Sequence, residues 1–272
     1  MKIRKHPNYR EACSKVRKAF APDSEDESGT LDSREDFYLE ILQELGVLSA
    51  SHSLVDLGAG FSWFSPMVKI FGMDVTIVDD FGGGGGIDPR EREATSATLE
   101  RLEQDIGLKV LRQNFVTHPL LPMPSESVDV VTCFHSLEHW HHSPKKLFGE
   151  IHRILKKGGV AVFATPNAVN LRKRVWVLFG KSNLPNLEDW YHQEPEWRGH
   201  VREPILADLQ SIFLWNGFSI RASYGRNFYA RDSRSLRFIP KPLRHALTNG
   251  SEKILKFFPT LCSDIHVVAE KK

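Results

Sequence analysis

Two acidic residues and two glycines, at characteristic distances along the chain, carry the most informative chemistry of this sequence. Asp56 ends an apolar run and precedes the bend Gly58-Ala59-Gly60, and Asp79 ends a β-branched run roughly 20 residues later. Glycines let the backbone approach a ligand closely. A carboxylate offers only hydrogen-bond acceptors, which suits the two hydroxyl donors of a ribose. The spacing predicts a nucleoside-binding crevice.

The bend departs from the glycine fingerprint of dinucleotide-binding proteins. That fingerprint needs a third small residue, but Trp63 occupies the position, and an acid precedes the first glycine. Both departures disfavour a pyrophosphate and favour a ligand with a positive charge. An NAD(P)-dependent oxidoreductase is therefore the weaker enzymatic interpretation.

Alternating strand and helix patterns must position these residues. Apolar and β-branched runs predict strands at 53–57, 74–78, 109–113 and 128–133, a fifth after Gly158, and two more near 218–224 and 264–269. Helical spacing and capping signals predict intervening helices, one of them from Ser143 and Pro144 to Gly158. Short connections between such elements imply an α/β fold with a mostly parallel sheet, whose ligands lie beyond the carboxyl ends of the strands.

Further motifs follow in a fixed order. Asn114-Phe115 follows the third predicted strand, Ser136-Leu137-Glu138-His139 follows the fourth, and Leu155 to Phe163 contains a turn and the fifth strand. With the D-x-G-x-G bend, these motifs resemble the class I S-adenosylmethionine-dependent methyltransferases of the small-molecule type (types 11 and 12), over about residues 50 to 165. The resemblance implies a Rossmann-like, doubly wound sheet of seven strands, with the last strand antiparallel.

The resemblance also implies a cofactor, S-adenosylmethionine, and a set of residues around it. Asp56 would lie near the ammonium group of the cofactor and Asp79 would bind the ribose, while Phe115 either stacks on adenine or is a core aromatic. The implied cofactor-binding residues are Asp56, Gly58, Ala59, Gly60, Asp79, Asp80, Asn114, Phe115, Phe134 and His135.

Histidines supply candidates for a general base. Methyl transfer to a hydroxyl benefits from a group that removes the proton, and His135, His139 and His200 are the candidates. A purely structural role is an equally weighted alternative for His139. Histidines beside Glu138 also suggest metal ligands, but the family carries this segment without a metal, and no carboxylate cluster completes a site. No metal is expected.

Composition and charge bound the organisation of the chain. Residues 1–48 are predicted to be an N-terminal helical extension and 49–272 the methyltransferase domain, with an acceptor-side insertion at about 168–202 and a basic amphipathic segment at about 230–260. The five glycines at 82–86 predict a loop, and the acidic stretch 23–36 is interpreted as a solvated face. An aromatic, irregular stretch is predicted from 183 to 200, in which residues 190–200 either wall an acceptor pocket or anchor a long loop. Glu203, before Pro204, is predicted to cap a helix. Residues 236–258 are interpreted either as a solvated face or as a peripheral membrane contact.

The predicted function is methyl transfer to a small-molecule, sugar-linked or lipid-linked acceptor, most plausibly at oxygen. A methyltransferase-like binding or regulatory module without catalysis is the alternative from another class. The net charge of +2 indicates no particular partner, and no nucleic-acid partner is expected, because the sequence shows no stacking motif, zinc knuckle or strongly basic domain. Three scattered cysteines and the lack of a signal-like apolar run predict a cytoplasmic protein.

Overall fold

A computed structural model describes residues 3–22, 33–82, 89–193, 197–227 and 254–272 of the 272-residue chain. Its strands are β1 (Ser53–Leu57), β2 (Asp74–Asp79), β3 (Lys109–Arg112), β4 (Val128–Phe134), β5 (Leu155–Pro166), β6 (Phe218–Arg226) and β7 (Asp264–Lys271). Its α-helices are α1 (Tyr9–Phe20), α2 (Ser33–Glu44), α3 (Phe64–Ile70), α4 (Pro89–Gln104), α5 (Lys145–Ile154), α6 (Leu171–Leu178), α7 (Leu187–His192) and α8 (Leu206–Trp215).

The strands form one seven-stranded sheet in the order β3-β2-β1-β4-β5-β7-β6. Strand β1 pairs in parallel with β2 and β4, and β2 pairs in parallel with β3. The last strand, β7, runs antiparallel to both β5 and β6. The predicted Rossmann-like sheet with an antiparallel last strand is confirmed.

The chain divides into two compact units. The first comprises residues 1–133 and 153–159, and the second comprises residues 134–152 and 160–272. Helices α1 and α2 belong to the first unit, in which both Arg4 Nε and the Tyr9 hydroxyl donate to the buried Asp36 carboxylate at 2.6 and 2.5 Å. The predicted boundaries at 48/49 and around 168–202 stay predictions.

The register of the first two strands determines which residues meet at the sheet edge. Leu57 lies opposite Val78. The bend after β1 and Asp79, the last residue of β2, therefore lie at the same end of the two strands. Residues 54–57 and 75, 77 and 78 are buried, as expected for strands covered on both faces. The predicted crevice residues of β1 and β2 therefore emerge side by side.

Two local predictions were wrong. Helix α5 ends at Ile154 rather than at Gly158, because the carbonyl groups of Arg153 and Ile154 accept hydrogen bonds from Glu126 and Ser127 and the chain enters β5 at Leu155. The stretch predicted to be irregular from 183 to 200 contains α7, whose first turn is capped by the Asn186 side chain. Most of the glycine run and most of 230–260 lie outside the described residues.

None of the described helices has both the length and the apolar character needed to span a membrane.

The core of the second unit contains a cluster of four phenylalanines. Phe213 of α8 packs edge-on against Phe148, Phe163 and Phe218, with ring centroids 5.1 to 5.3 Å apart. Phe213 is fully buried, and such aromatic pairs add to the stability gained by burial. This cluster holds α8 against the sheet.

Truncating the central ring should destabilise the second unit. Phe213→Ala is expected to lower the free energy of unfolding by about 3–5 kcal/mol, because it removes buried surface and leaves a cavity. Leu214→Ala is the matched control, since the neighbouring side chain is 55% exposed. Urea denaturation of both variants measures the difference, and equal stability of the two would contradict the assigned core.

Candidate functional site

The Asp79 carboxylate is hydrogen-bonded directly to the glycine bend. Gly60 N–H donates to Asp79 Oδ2 at 2.8 Å, and Phe81 N–H donates to Oδ1 at 2.6 Å. Below the bend, Gly58 N–H donates to the Val78 carbonyl at 2.9 Å. The structure thus brings the bend and Asp79, predicted from two distant motifs, into one site of the first unit.

Both glycines of the bend have a backbone conformation that disfavours side chains. Gly58 has φ of +69° and Gly60 has φ of +51°, in the left-handed region. No heavy atom would lie within 4 Å of a Cβ on Gly60, so the backbone there faces open space. The Ala59 carbonyl closes the turn by accepting from Ser62 N–H at 3.2 Å. The bend therefore exposes its backbone where a ligand can approach.

Asp56 lies beneath the bend and is almost completely buried. Ser65 Oγ and Thr132 Oγ1 donate to its two carboxylate oxygens at 2.6 and 2.7 Å, and the residue is 2% exposed. Burial raises the pKa of Asp56 to about 6, the two hydroxyl donors oppose that rise, and the charge of Asp79 adds to it. Its predicted role beside an ammonium group stays a prediction.

The pKa of Asp79 is raised as well. Burial is the main cause, and the neighbouring Asp80 carboxylate also raises the pKa, while the N–H donors of Gly60 and Phe81 lower it. The pKa values of Asp56 and Asp79 are thus both raised, and a nearby cation would stabilise both carboxylates in their charged forms. The electrostatics of this site favour a positively charged ligand.

The remaining predicted cofactor residues of the first unit fall into two groups. Asn114 Nδ2 donates to Asp80 Oδ2 at 2.7 Å, and Asn114 Oδ1 accepts from Thr117 N–H at 3.0 Å, so these polar side chains form a surface pair. Phe115 is only 6% exposed and belongs to the core. Phe134 and His135 lie in the second unit.

Glu35 is a site residue that the sequence did not single out. Its Oε1 accepts hydrogen bonds from Trp63 N–H at 2.8 Å and from Ser62 Oγ at 3.2 Å, at the start of α3. Glu35 belongs to the acidic stretch 23–36, whose composition indicates a solvated face. A carboxylate already binds the free N–H group at this helix terminus, where a dinucleotide would place its pyrophosphate.

A second polar cluster lies in the second unit, beginning at His135. This residue has φ of +52°, which is rare for a residue with a side chain, and its N–H donates to the Ala164 carbonyl at 2.8 Å. Its Nδ1 is 3.6 Å from Glu138 Oε1, and its Nε2 is 3.5 Å from Asp264 Oδ1. The strained backbone therefore holds the ring between two buried carboxylates.

Glu138 is the centre of this cluster. It is 1% exposed, its Oε2 accepts from Thr165 Oγ1 at 3.2 Å, and its Oε1 is 3.9 Å from His200 Nε2. Its backbone carbonyl accepts from Val201 and Arg202 N–H at 2.7 and 3.2 Å. The segment after His200 is thereby fixed to the short 3-10 turn Leu137–His139.

The predicted bases His139 and His200 lie against each other. Their ring centroids are 4.9 Å apart and their planes nearly perpendicular. His139 Nδ1 is 2.9 Å from the Arg198 carbonyl, and His200 Nδ1 is 2.7 Å from Glu203 Oε1. The hydrogen bond to Glu203 raises the pKa of His200 despite its partial burial. The structure therefore brings together all three histidines proposed from the sequence.

Glu203 differs from its predicted role as a helix cap. It binds both His200 and Lys173, whereas Asp208 accepts from Ile205 N–H at 3.3 Å at the start of α8. Asp264 and Thr165 were also not predicted. The contacts of Asp264 with His135, of Thr165 with Glu138 and of Glu203 with Lys173 join residues far apart in sequence, and no local pattern marks them.

The aromatic stretch predicted to wall an acceptor pocket is largely exposed. Trp190 and Tyr191 are 54% and 72% exposed. A cavity of about 720 Å³ lies elsewhere in the second unit, and its lining includes Trp140, Arg202 and Trp215. Its volume lies within the usual range for small-molecule pockets.

Replacing Asp56 should flatten the pH dependence of stability. The pKa of Asp56 is higher in the folded than in the unfolded chain. Below about pH 4 the carboxyl is protonated in both states and has little effect on stability, but as the pH rises towards 7 its ionisation lowers the free energy of unfolding. The shift corresponds to roughly 2–3 kcal/mol. Relative to wild type, Asp56→Asn is expected to gain stability by this amount between pH 4 and 7.5 in urea denaturation.

Asp129→Asn is the matched control in the same unit. Lys156 and Ser53 lower the pKa of Asp129 against its partial burial, so its stabilising contribution is present at neutral pH and lost in acid. The control should therefore change the pH profile in the opposite direction. Parallel profiles for wild type and Asp56→Asn would refute the assigned burial of the charge.

Comparison with known proteins places the chain in a family. The sequence model of the family described as "Methyltransferase domain" matches residues 6–223. "Ubiquinone biosynthesis O-methyltransferase" of Pseudomonas syringae pv. tomato is 30% identical over 138 residues, which cover 51% of this chain and 54% of the relative. "Uncharacterized methyltransferase YcgJ" of Bacillus subtilis is 25% identical over 174 residues, 61% of this chain and 57% of the relative. The chain spans about half the length of the curated relatives it matches.

Solved structures share the fold. An S-adenosylmethionine-dependent methyltransferase from Mesorhizobium loti matches with a TM-score of 0.54 at 17% identity, over 89% of this chain and all of the other. The YcgJ protein of Bacillus subtilis matches with a TM-score of 0.53 at 18% identity, over 87% and 99%. At these identities the likeness concerns the fold alone. The family match covers well over half of the sequence, and the chain therefore belongs to the methyltransferase domain family.

Proposed function

We propose that the protein transfers a methyl group from S-adenosylmethionine to an oxygen atom of a small-molecule, sugar-linked or lipid-linked acceptor. The observation that carries the proposal is the hydrogen bond between Gly60 N–H and Asp79 Oδ2, which joins a ribose-type acceptor to an open backbone bend. Membership of the methyltransferase family supports the same reaction.

The first unit offers groups suited to each part of such a cofactor. A carboxylate has about four lone-pair sites, so Asp79 can accept ribose hydroxyls while it keeps its two backbone donors. Asp56 and Asp79 favour a cation because their pKa values are raised. The pair Asp80–Asn114 offers polar groups beside them. Phe115 supports this region as a core residue.

The second unit offers the groups that a hydroxyl acceptor needs. The cofactor supplies a methyl carbon activated by its bond to a sulfonium, so the protein has to align the acceptor, exclude water and accept one proton. His135 is suited to receive that proton, because its ring lies between the carboxylates of Glu138 and Asp264, 3.6 and 3.5 Å from the nearest oxygen of each. His139 and His200 are the further candidates, and each has a ring nitrogen within 4.8 Å of a Glu138 carboxylate oxygen.

Two observations favour oxygen as the acceptor atom, and a third favours a methyl donor over a nicotinamide cofactor. The relatives from Pseudomonas are named as O-methyltransferases of ubiquinone biosynthesis, and the histidine–carboxylate cluster provides the base that an alcohol requires. Glu35 binds the Trp63 N–H at the start of α3, and its charge disfavours a pyrophosphate there. These features weigh against an oxidoreductase.

Cofactor binding should depend on Asp79. Asp79→Ala is expected to weaken S-adenosylmethionine binding at least 10-fold in calorimetry, since each lost hydrogen bond to a charged acceptor is worth about 1.5–3 kcal/mol. Asp74→Ala is the matched control, because Asp74 lies at the opposite end of β2 and pairs with Lys69 and Lys109. Equal affinity of the two variants, or no binding by wild type, would defeat the proposal.

Turnover should depend on His135. With methyl-tritiated cofactor and a metabolite extract as acceptor source, His135→Gln is expected to reduce labelled product by about 10²–10⁴ and to leave cofactor affinity unchanged. His52→Gln is the control, because His52 precedes β1 at the end of that strand opposite the glycine bend and its ring is hydrogen-bonded to the neighbouring Ser49 and Ser51. Cofactor binding by wild type without any labelled product would instead favour a non-catalytic binding module.

A further inference from the structure

We propose that Glu138, His139 and His200 bind one divalent transition-metal ion of the Zn²⁺ type. Each residue offers one ligand atom, and the three atoms lie within 4.8 Å of one another. Two imidazole nitrogens and one carboxylate oxygen form a donor set typical of protein sites for such ions. The cluster lies within the second unit.

Both imidazole rings are oriented by a hydrogen bond at their other nitrogen. His139 Nδ1 is 2.9 Å from the Arg198 carbonyl, and His200 Nδ1 is 2.7 Å from Glu203 Oε1. A metal-binding histidine characteristically bonds a carbonyl or carboxylate through its second nitrogen, which fixes the tautomer and the ring orientation. In both rings this arrangement leaves Nε2 for the ion.

The two carboxylate oxygens of Glu138 have different partners. Glu138 Oε2 accepts from Thr165 Oγ1 at 3.2 Å, whereas Oε1 lies 3.9 Å from His200 Nε2 and 3.6 Å from His135 Nδ1. Glu138 is buried, and a buried charge needs compensation by a cation or by hydrogen bonds. A divalent ion at Oε1 would provide that compensation.

Backbone contacts hold the three ligands in place before any ion binds. The Glu138 carbonyl accepts from the N–H groups of Val201 and Arg202, so the two chain segments that carry the ligands are joined directly. Lys173 pairs with Glu203 and thereby restrains the carboxylate that orients His200. A preformed geometry of this kind reduces the entropic cost of binding.

The donor set also selects among metal ions. Mg²⁺ and Ca²⁺ prefer oxygen ligands, whereas two imidazoles favour Zn²⁺, Co²⁺ or Fe²⁺. Three protein ligands leave a coordination position, and His139 is exposed to solvent. The sequence predicted no metal, because the family it resembles carries this segment without one and no carboxylate cluster completes a site there. Folding brings His200 to Glu138 and supplies the missing geometry.

One consequence of the ion rests on the proposed function. An acceptor hydroxyl bound at the remaining position would have its pKa lowered by the ion, and the released proton would pass to a nearby base. His139 and His200 would then be ligands and no longer candidates for the base, which leaves His135, whose Nδ1 is 3.6 Å from Glu138 Oε1 and which is not one of the three ligands. The metal site itself is independent of the methyl-transfer proposal.

Metal titration tests the site without cofactor or acceptor. Untagged full-length protein, stripped with a chelator, is titrated with Co²⁺ and followed by its visible absorption, and Zn²⁺ is then added in competition. We expect one equivalent to bind and Zn²⁺ to displace it. The double variant His139→Gln/His200→Gln should bind at least 100-fold more weakly, and His141→Gln/His142→Gln, in the adjacent stretch, should bind like wild type.

A positioning variant provides a second readout. Glu203→Gln should weaken Co²⁺ binding about 10-fold or more while retaining the stoichiometry, because it alters the group that orients His200. If far-UV circular dichroism shows that the double variant does not fold, the proposal is tested by comparing the Co²⁺ affinities of Glu203→Gln and wild type. Wild-type binding no tighter than that of the folded double variant, or no binding at all, overturns the proposal. Calorimetry with S-adenosylmethionine on the same samples reports separately on the cofactor site.

Discussion

The site of the first unit depends on one hydrogen bond, from Gly60 N–H to Asp79 Oδ2. This bond requires the parallel register of β1 and β2, which places Leu57 opposite Val78, and the left-handed backbone of Gly60. It fixes the distance between a carboxylate and an open stretch of backbone. Without it, the two motifs would be separate turns at a sheet edge, with no shared ligand.

Charge at this edge is incompletely compensated by the protein itself. Asp56 relies on two hydroxyl groups and Asp79 on two backbone N–H groups, and burial raises the pKa of both carboxylates. Such a site is less stable at neutral pH than it would be with neutral side chains. Under the proposed function, a cationic ligand would supply the missing compensation, and binding it would restore part of this stability.

In the second unit, by contrast, three carboxylates each lie beside a histidine ring. Glu138, Glu203 and Asp264 each contact a histidine, and Lys173 pairs with Glu203. These groups come from four separate parts of the chain, and backbone hydrogen bonds at Glu138 join two of them, the segments that carry Glu138 and His200. The positive φ of His135 shows that the backbone accepts strain to keep a ring in this network.

The sequence by itself determined the alternation of strands and helices, the bend at Gly58–Gly60 and the importance of Asp79, because these depend on local periodicity and short spacings. Only the tertiary structure decided that Glu35 binds the start of α3, that Glu203 pairs with Lys173, and that α5 ends at Ile154. Each of these depends on a partner far away in sequence, whose position is set by packing. Local sequence patterns indicate which residues can form a helix or a strand. The partners of buried polar groups, by contrast, are set by tertiary packing.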